Sequence, residues 1–169
     1  GFFGTRTNKS GMTVNITGNF LIDAKGKDGP GGIIQVKADQ TLLAPAQGTS
    51  DPSSGKVIIR ADGPDSGNGD GGTILFDTGS VVLTGRATLS ADAAPNGTGD
   101  AVISSDLLGN GPQAIKFNPG TNDIHLGGGS AQFFLSARGG LSGGNAGGIL
   151  VKAASSAEVT LQNRLAIDA

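Results

Sequence analysis

Four short, oxygen-bearing side chains crowd one loop of this chain: Asp62, Asp65, Asn68 and Asp70 all fall within DGPDSGNGDGG (62–72). Carboxylate and amide oxygens at that density suit a hard cation such as calcium. The loop lacks the closing Glu of an EF-hand and the G-G-x-G-x-D nonapeptide of calcium-binding β-rolls, so the competing reading is an ordinary solvated, turn-rich loop. Within it Gly67, Gly69 and Gly72 match G-x-G-x-x-G. A strand pattern follows them, so no helix N-terminus is offered to a pyrophosphate, and a dinucleotide site is not expected.

A second set of acids travels with a repeated phrase. Asp23 and Asp168 close FLIDA and LAIDA, and Asp92 lies near the matching place in a third copy. Such a row could bind calcium or cleave glycosides. The plainer reading is that each Asp ends a strand by accepting from following backbone N–H groups. An acid repeated with the fold suits the structural role better, because one active site needs one set. GTSDPSSGKV (48–57) has the wrong glycine spacing for a phosphate loop, and Val57 stands where Ser or Thr must hold magnesium. His125, the one histidine, sits between Ile124 and Leu126 in a strand-like run, pointing outward, and with no cysteine a zinc site or a Ser-His-Asp triad has little support. In QFFLSARGG (132–140), Phe133 and Phe134 beside Arg138 read as core aromatics before a sugar-stacking platform. No catalytic set emerges, and the chain is not expected to be an enzyme.

The elements that carry these residues are short. TVNIT (13–17), IIQVKA (33–38), KVIIRA (56–61), TILFD (73–77), SVVLT (80–84) and EVTLQ (158–162) are rich in Val, Ile and Thr and predict strands. Gly or Pro interrupts nearly every candidate helical stripe, so the chain of 169 residues reads as all-β. A net charge of −2 gives no electrostatic footprint for nucleic acid or an anionic membrane. No run approaches the roughly 18 apolar residues of a membrane span. The 31 glycines show no G-X-Y period, which excludes collagen. The chain starts GFFGTRTNKSG, without an initiator Met or signal peptide, and is expected to be a piece or subunit of a longer array.

The strands repeat. VNITGNFLIDA (14–24) aligns without a gap on VTLQNRLAIDA (159–169), VVLTGRATLSADA (81–93) fits with a short insertion, and Gly-led segments such as GGIIQVKAD (31–39), GGTILFDTG (71–79) and GGILVKAAS (147–155) recur between them. Recurring strands with loops of changing length predict a single β-solenoid over 1–169, of about six or seven turns, whose inward side chains stack from turn to turn. Loops should project freely and glycines should supply positive-φ corners. The expected inward residues are Ile16, Ile22, Ile34, Val36, Ile58, Leu75, Leu83, Leu89, Ile103, Phe134, Leu150, Leu161 and Ile167.

The pattern V-x-[IL]…[ILF]-x-[IA]-D-A, a Gly/Asn/Asp-rich loop, then G-G-x-[IL]-x-[VIF]-x-A resembles the repeats of filamentous-haemagglutinin-like exoproteins of the two-partner secretion kind. It covers about two thirds of the chain, best at 13–39, 71–107 and 147–169. The resemblance implies a right-handed parallel β-helix at the bacterial cell surface or outside it, acting as an adhesin or its rigid stalk. It also implies partners among flanking repeats, a second copy stacked end to end, or a host glycan or protein. A self-assembling filament subunit and a β-helical polysaccharide lyase or hydrolase are the alternatives. The stretch 105–132 departs from the repeat and is expected to leave it as a loop excursion.

Overall fold

The computed structural model describes residues 2–3, 13–17, 20–44, 57–83, 87–101, 113–118, 124–126, 133–154, 157–161 and 165–169. Among them are thirteen strands and no helix: β1 Phe2–Phe3, β2 Thr13–Thr17, β3 Phe20–Asp23, β4 Ile33–Ala44, β5 Val57–Arg60, β6 Thr73–Leu83, β7 Ala87–Ser90, β8 Ile115–Phe117, β9 Ile124–Leu126, β10 Phe133–Ser136, β11 Ile149–Val151, β12 Val159–Leu161 and β13 Leu165–Asp168. Their β-branched and aromatic content suits a pleated, packed surface. The Gly-rich segments between them stop each strand after a few residues.

Every pairing is parallel. One sheet runs β3-β5-β7-β10-β13, so spatial neighbours follow chain order. In the other sheet the long strands β4 and β6 pair with each other, and each serves two shorter partners. The first halves meet β1 and β8, the second halves β2 and β9, and β11 and β12 continue the two lines. The β4–β6 register omits Asp39 and Gly79, dividing each strand in two. The five members of the first sheet fall short of the six or seven turns expected. Corner segments as long as 61–72 and 137–148 use up the residues a further strand would need.

Register sorts the core into rows. Ile22, Ile59, Leu89, Leu135 and Ile167 lie side by side across the five-stranded sheet. Ile34, Ile74, Ile115 and Ile149 form a second row, and Val36, Phe76, Phe117 and Val151 a third. The rings of Phe76 and Phe117 stack with centroids 4.8 Å apart, close to the spacing of adjacent strands. Members in the middle of each row are fully buried, worth about 1.5–3 kcal/mol for each large aliphatic side chain.

The expected inward set is corrected in places. Ile34, Val36, Leu75 and Leu89 are buried as expected. Ile58 and Phe134 are only half-buried, because Val57, Ile59, Phe133 and Leu135 take the inward phase of strands that are apolar on both faces. Leu161 and Ile167 occupy inward rows, yet are 55% and 52% exposed, because no strand follows theirs. Ile22 and Ile167 therefore share a row but sit at its two ends, each with one neighbour instead of two. Leu150 is half-buried, while the side chains of Ile16 and Leu83 and the whole of Ile103 lie outside the described residues.

Leu75 and Lys116 are buried on the face opposite Ile74 and Ile115, so this part of the sheet is covered on both sides. Within 105–132, β8 and β9 hold regular places in the ladders. The excursion expected there does not extend over them, and 105–112, 119–123 and 127–132 lie outside the described residues.

Candidate functional site

The polar residues singled out above converge on the corners that lead from the five-stranded sheet back to the other one. These corners are 24–32, 61–72, 91–101 and 137–148, and they lie one upon another. Gly26 N–H donates to Asp62 O, Gly63 N–H to Asp92 O and Ala93 N–H to Arg138 O. Further along, Gly31 N–H donates to Asp70 O, Gly71 N–H to Asp100 O and Ala101 N–H to Asn145 O. The loops do not project freely, as expected from the sequence; they continue the ladder.

Side chains reinforce that ladder in one direction. Asp62 Oδ1 accepts from Asp92 N–H at 3.0 Å, and Asp92 Oδ1 from Arg138 N–H at 2.7 Å. Asp70 Oδ1 accepts from Asp100 N–H at 2.8 Å, and Asp100 Oδ1 from Asn145 N–H at 2.7 Å. Asn68 Oδ1 does the same with Thr98 N–H at 3.1 Å. The hydroxyls of Ser90 and Ser136 donate to Asp62 and Asp92. Each acid thus satisfies a backbone donor one layer on that would otherwise be left unpaired.

Of the four residues grouped for calcium, Asp62, Asn68 and Asp70 spend an oxygen on this stapling, and Asp65 accepts from Lys25 Nζ. Among the described residues no group of three His, Cys, Asp or Glu side chains is arranged to hold a metal. The Asp23 and Asp168 row is real, but Asp92 belongs two positions further along. In register, Asp23, Arg60, Ser90, Ser136 and Asp168 are neighbours. Asp23 Oδ1 accepts from Lys25 N–H at 3.0 Å, the strand-ending turn expected of it, while Oδ2 takes Arg60 Nη2 at 2.6 Å. Arg138 pairs with Asp92 at 2.9 Å and reaches Asp168 at 3.8 Å.

The electrostatics follow from burial. The hydrogen bond from Arg60 holds the Asp23 carboxyl below the usual range. Asp62 is the most enclosed of the acids in the stack, and burial pushes its carboxyl up, with the neighbouring Asp92 charge adding to the rise. The side chains leave a shallow groove along the corner. One part, about 160 Å³, is lined by Lys25, Asp62, Pro64, Asp65 and Arg138. The other, about 290 Å³, is lined by Asp92, Pro95, Arg138, Leu141 and Ala169.

Glycine has a different duty here from the one expected. Among the described residues Gly67 and Gly143 have positive φ, at 89° and 128°. Gly97 is needed for close approach: a Cβ there would lie 1.9 Å from Gly67 O in the layer before. The sequence signal for all of this was present but unread. ADGPDSGNGD (61–70) and ADAAPNGTGD (91–100) share A-D and G-x-G-D at one spacing. The G-x-G match dismissed for nucleotide binding is a stacking motif. Val57 is the one residue of the rejected phosphate-loop stretch that is described, and it is core. His125 lies on β9, with its side chain outside the described residues.

No family model, curated protein or solved structure matches the chain.

Proposed function

We propose that the chain is a structural segment of a secreted bacterial surface fibre or adhesin, built as a right-handed parallel β-helix of the filamentous-haemagglutinin-like kind and without chemistry of its own. The observation that carries this reading is the strand order β3-β5-β7-β10-β13, parallel throughout and in chain order. Between consecutive members the chain makes one excursion through the other sheet, so the strands group as five rungs of three. Parallel neighbours require such crossovers, and right-handed ones are strongly preferred. At about 4.8 Å per rung the five make a short rod of about 20 Å. A rung buries its apolar face only against another rung, which explains why the sequence repeats.

The acids support the same reading. They staple rung to rung, and a carboxylate engaged in that way holds a scaffold together. A fibre stalk needs this kind of stiffness. Its extracellular placement rests on the repeat resemblance. Two assays test the function. Antibody raised against the chain should label intact cells of the source bacterium. The purified chain should turn over no acidic polysaccharide. Turnover abolished by Asp62→Asn or Asp65→Asn would overturn the reading in favour of a lyase or hydrolase.

A further inference from the structure

The five-stranded sheet ends at β13, whose outer edge has no strand partner among the described residues. Its inward residue Ile167 is 52% exposed and the Asp168 side chain 49%. Unpaired edges with an apolar row beneath them are places where another strand adds. The chemistry of that strand is legible from inside the molecule. β3 is FLID and β13 is LAID, and the gapless repeat 14–24 and 159–169 contains them both. The strand that covers β3 is β5, VIIR: Ile59 lies next to Ile22, and Arg60 Nη2 is 2.6 Å from Asp23 Oδ2. β13 repeats the covered strand, and its cover is missing.

We propose that the outer edge of β13 is a docking site for a parallel strand of the β5 type, apolar-x-Ile-Arg, from a further repeat of this pattern. Its Ile would cover Ile167 and its Arg would pair with Asp168. A second copy stacked end to end fits less well. Its β5 is already paired on both edges, by β3 and β7, and its free β3 would bring Asp23 against Asp168. Like charges directly opposite on neighbouring strands repel. The proposal rests on the rung reading above, and the test separates the two.

The probe is the peptide GKVIIRAD added at millimolar concentration to the full chain, with amide hydrogen exchange read residue by residue. Exchange at Leu165–Asp168 should slow at least tenfold. Asp168→Arg should abolish the slowing, and a peptide with Asp in place of its Arg should restore it on that variant. Protection at Phe133–Ser136 in β10, which has partners on both edges, reports the stack itself. Absence of protection there in the free chain counts against the rod. Intact β10 with β13 unmoved by the peptide, or slowing indifferent to the charge swap, overturns the docking site alone. Slowing that grows with protein concentration without peptide assigns the edge to a second copy and also overturns it.

Discussion

Leu89→Ala and Ile167→Ala remove carbons from the same row, and the structure separates their costs. Leu89 is fully buried between Ile59 and Leu135, themselves fully buried. Three carbons at about 0.8 kcal/mol each give about 2.4 kcal/mol of lost transfer energy. The void adds to this, because parallel ladders on both sides hold the neighbouring strands at fixed spacing and prevent collapse. The total should be about 3–4 kcal/mol, inside the range for buried Leu→Ala changes. Ile167 is 52% exposed with nothing beyond it, so about half the transfer term is absent and no closed cavity forms. The expected cost is about 1 kcal/mol. Urea titration followed by far-ultraviolet circular dichroism measures both. Equal losses for the two variants would refute the row assignment and with it the idea that β13 is the end of a stack.

Further outcomes follow from the corner. Asp62 has a raised carboxyl, so its native form binds a proton more readily than the unfolded chain; stability is lost as pH rises through the raised value. Asp62→Asn, which keeps an acceptor for Asp92 N–H, should therefore be neutral or stabilising at pH 7, and the gain should fade as thermal melts are repeated in acid. Gly97→Ala places a methyl group 1.9 Å from Gly67 O and should lower the Tm by several degrees, whereas Gly29→Ala meets nothing within 4 Å and should leave the Tm unchanged or slightly raised. Millimolar calcium should leave the Tm unchanged because the loop oxygens at 62–70 already serve protein donors; a rise of several degrees would show that Asp62, Asp65, Asn68 and Asp70 do rearrange around the ion.

The strands were legible because apolar runs bounded by glycine announce themselves. TVNIT matches β2 at both ends, and TILFD and SVVLT both fall within β6. The phase was legible only where polar residues alternate. IIQVKA placed Ile34 and Val36 inward correctly, whereas VIIR and FFLS are apolar at successive positions and give alternation nothing to act on. End effects were illegible in principle from the repeat. Ile22, Leu89 and Ile167 look alike in sequence, and their burial differs because of how many neighbours each strand has. The corner was misjudged for a chemical reason. Asp, Asn and Gly have the composition of a cation loop and of a solvated turn, and the backbone donors that claim Asp62 and Asp70 lie thirty residues further on.

The central claim is that consecutive strands of the five-stranded sheet are successive rungs of one stack, and cysteine cross-linking tests it most directly. The chain has no cysteine of its own, and Ile58, Thr88 and Phe134 form a half-buried row on the outer side of β5, β7 and β10. Neighbouring rungs at about 4.8 Å place Cα atoms within disulfide reach, and two rungs at about 9.6 Å do not. Under mild oxidation, Ile58→Cys/Thr88→Cys and Thr88→Cys/Phe134→Cys should each close, while Ile58→Cys/Phe134→Cys should stay reduced. Efficient closure of the last pair, or failure of both neighbouring pairs in folded protein, would contradict the stack.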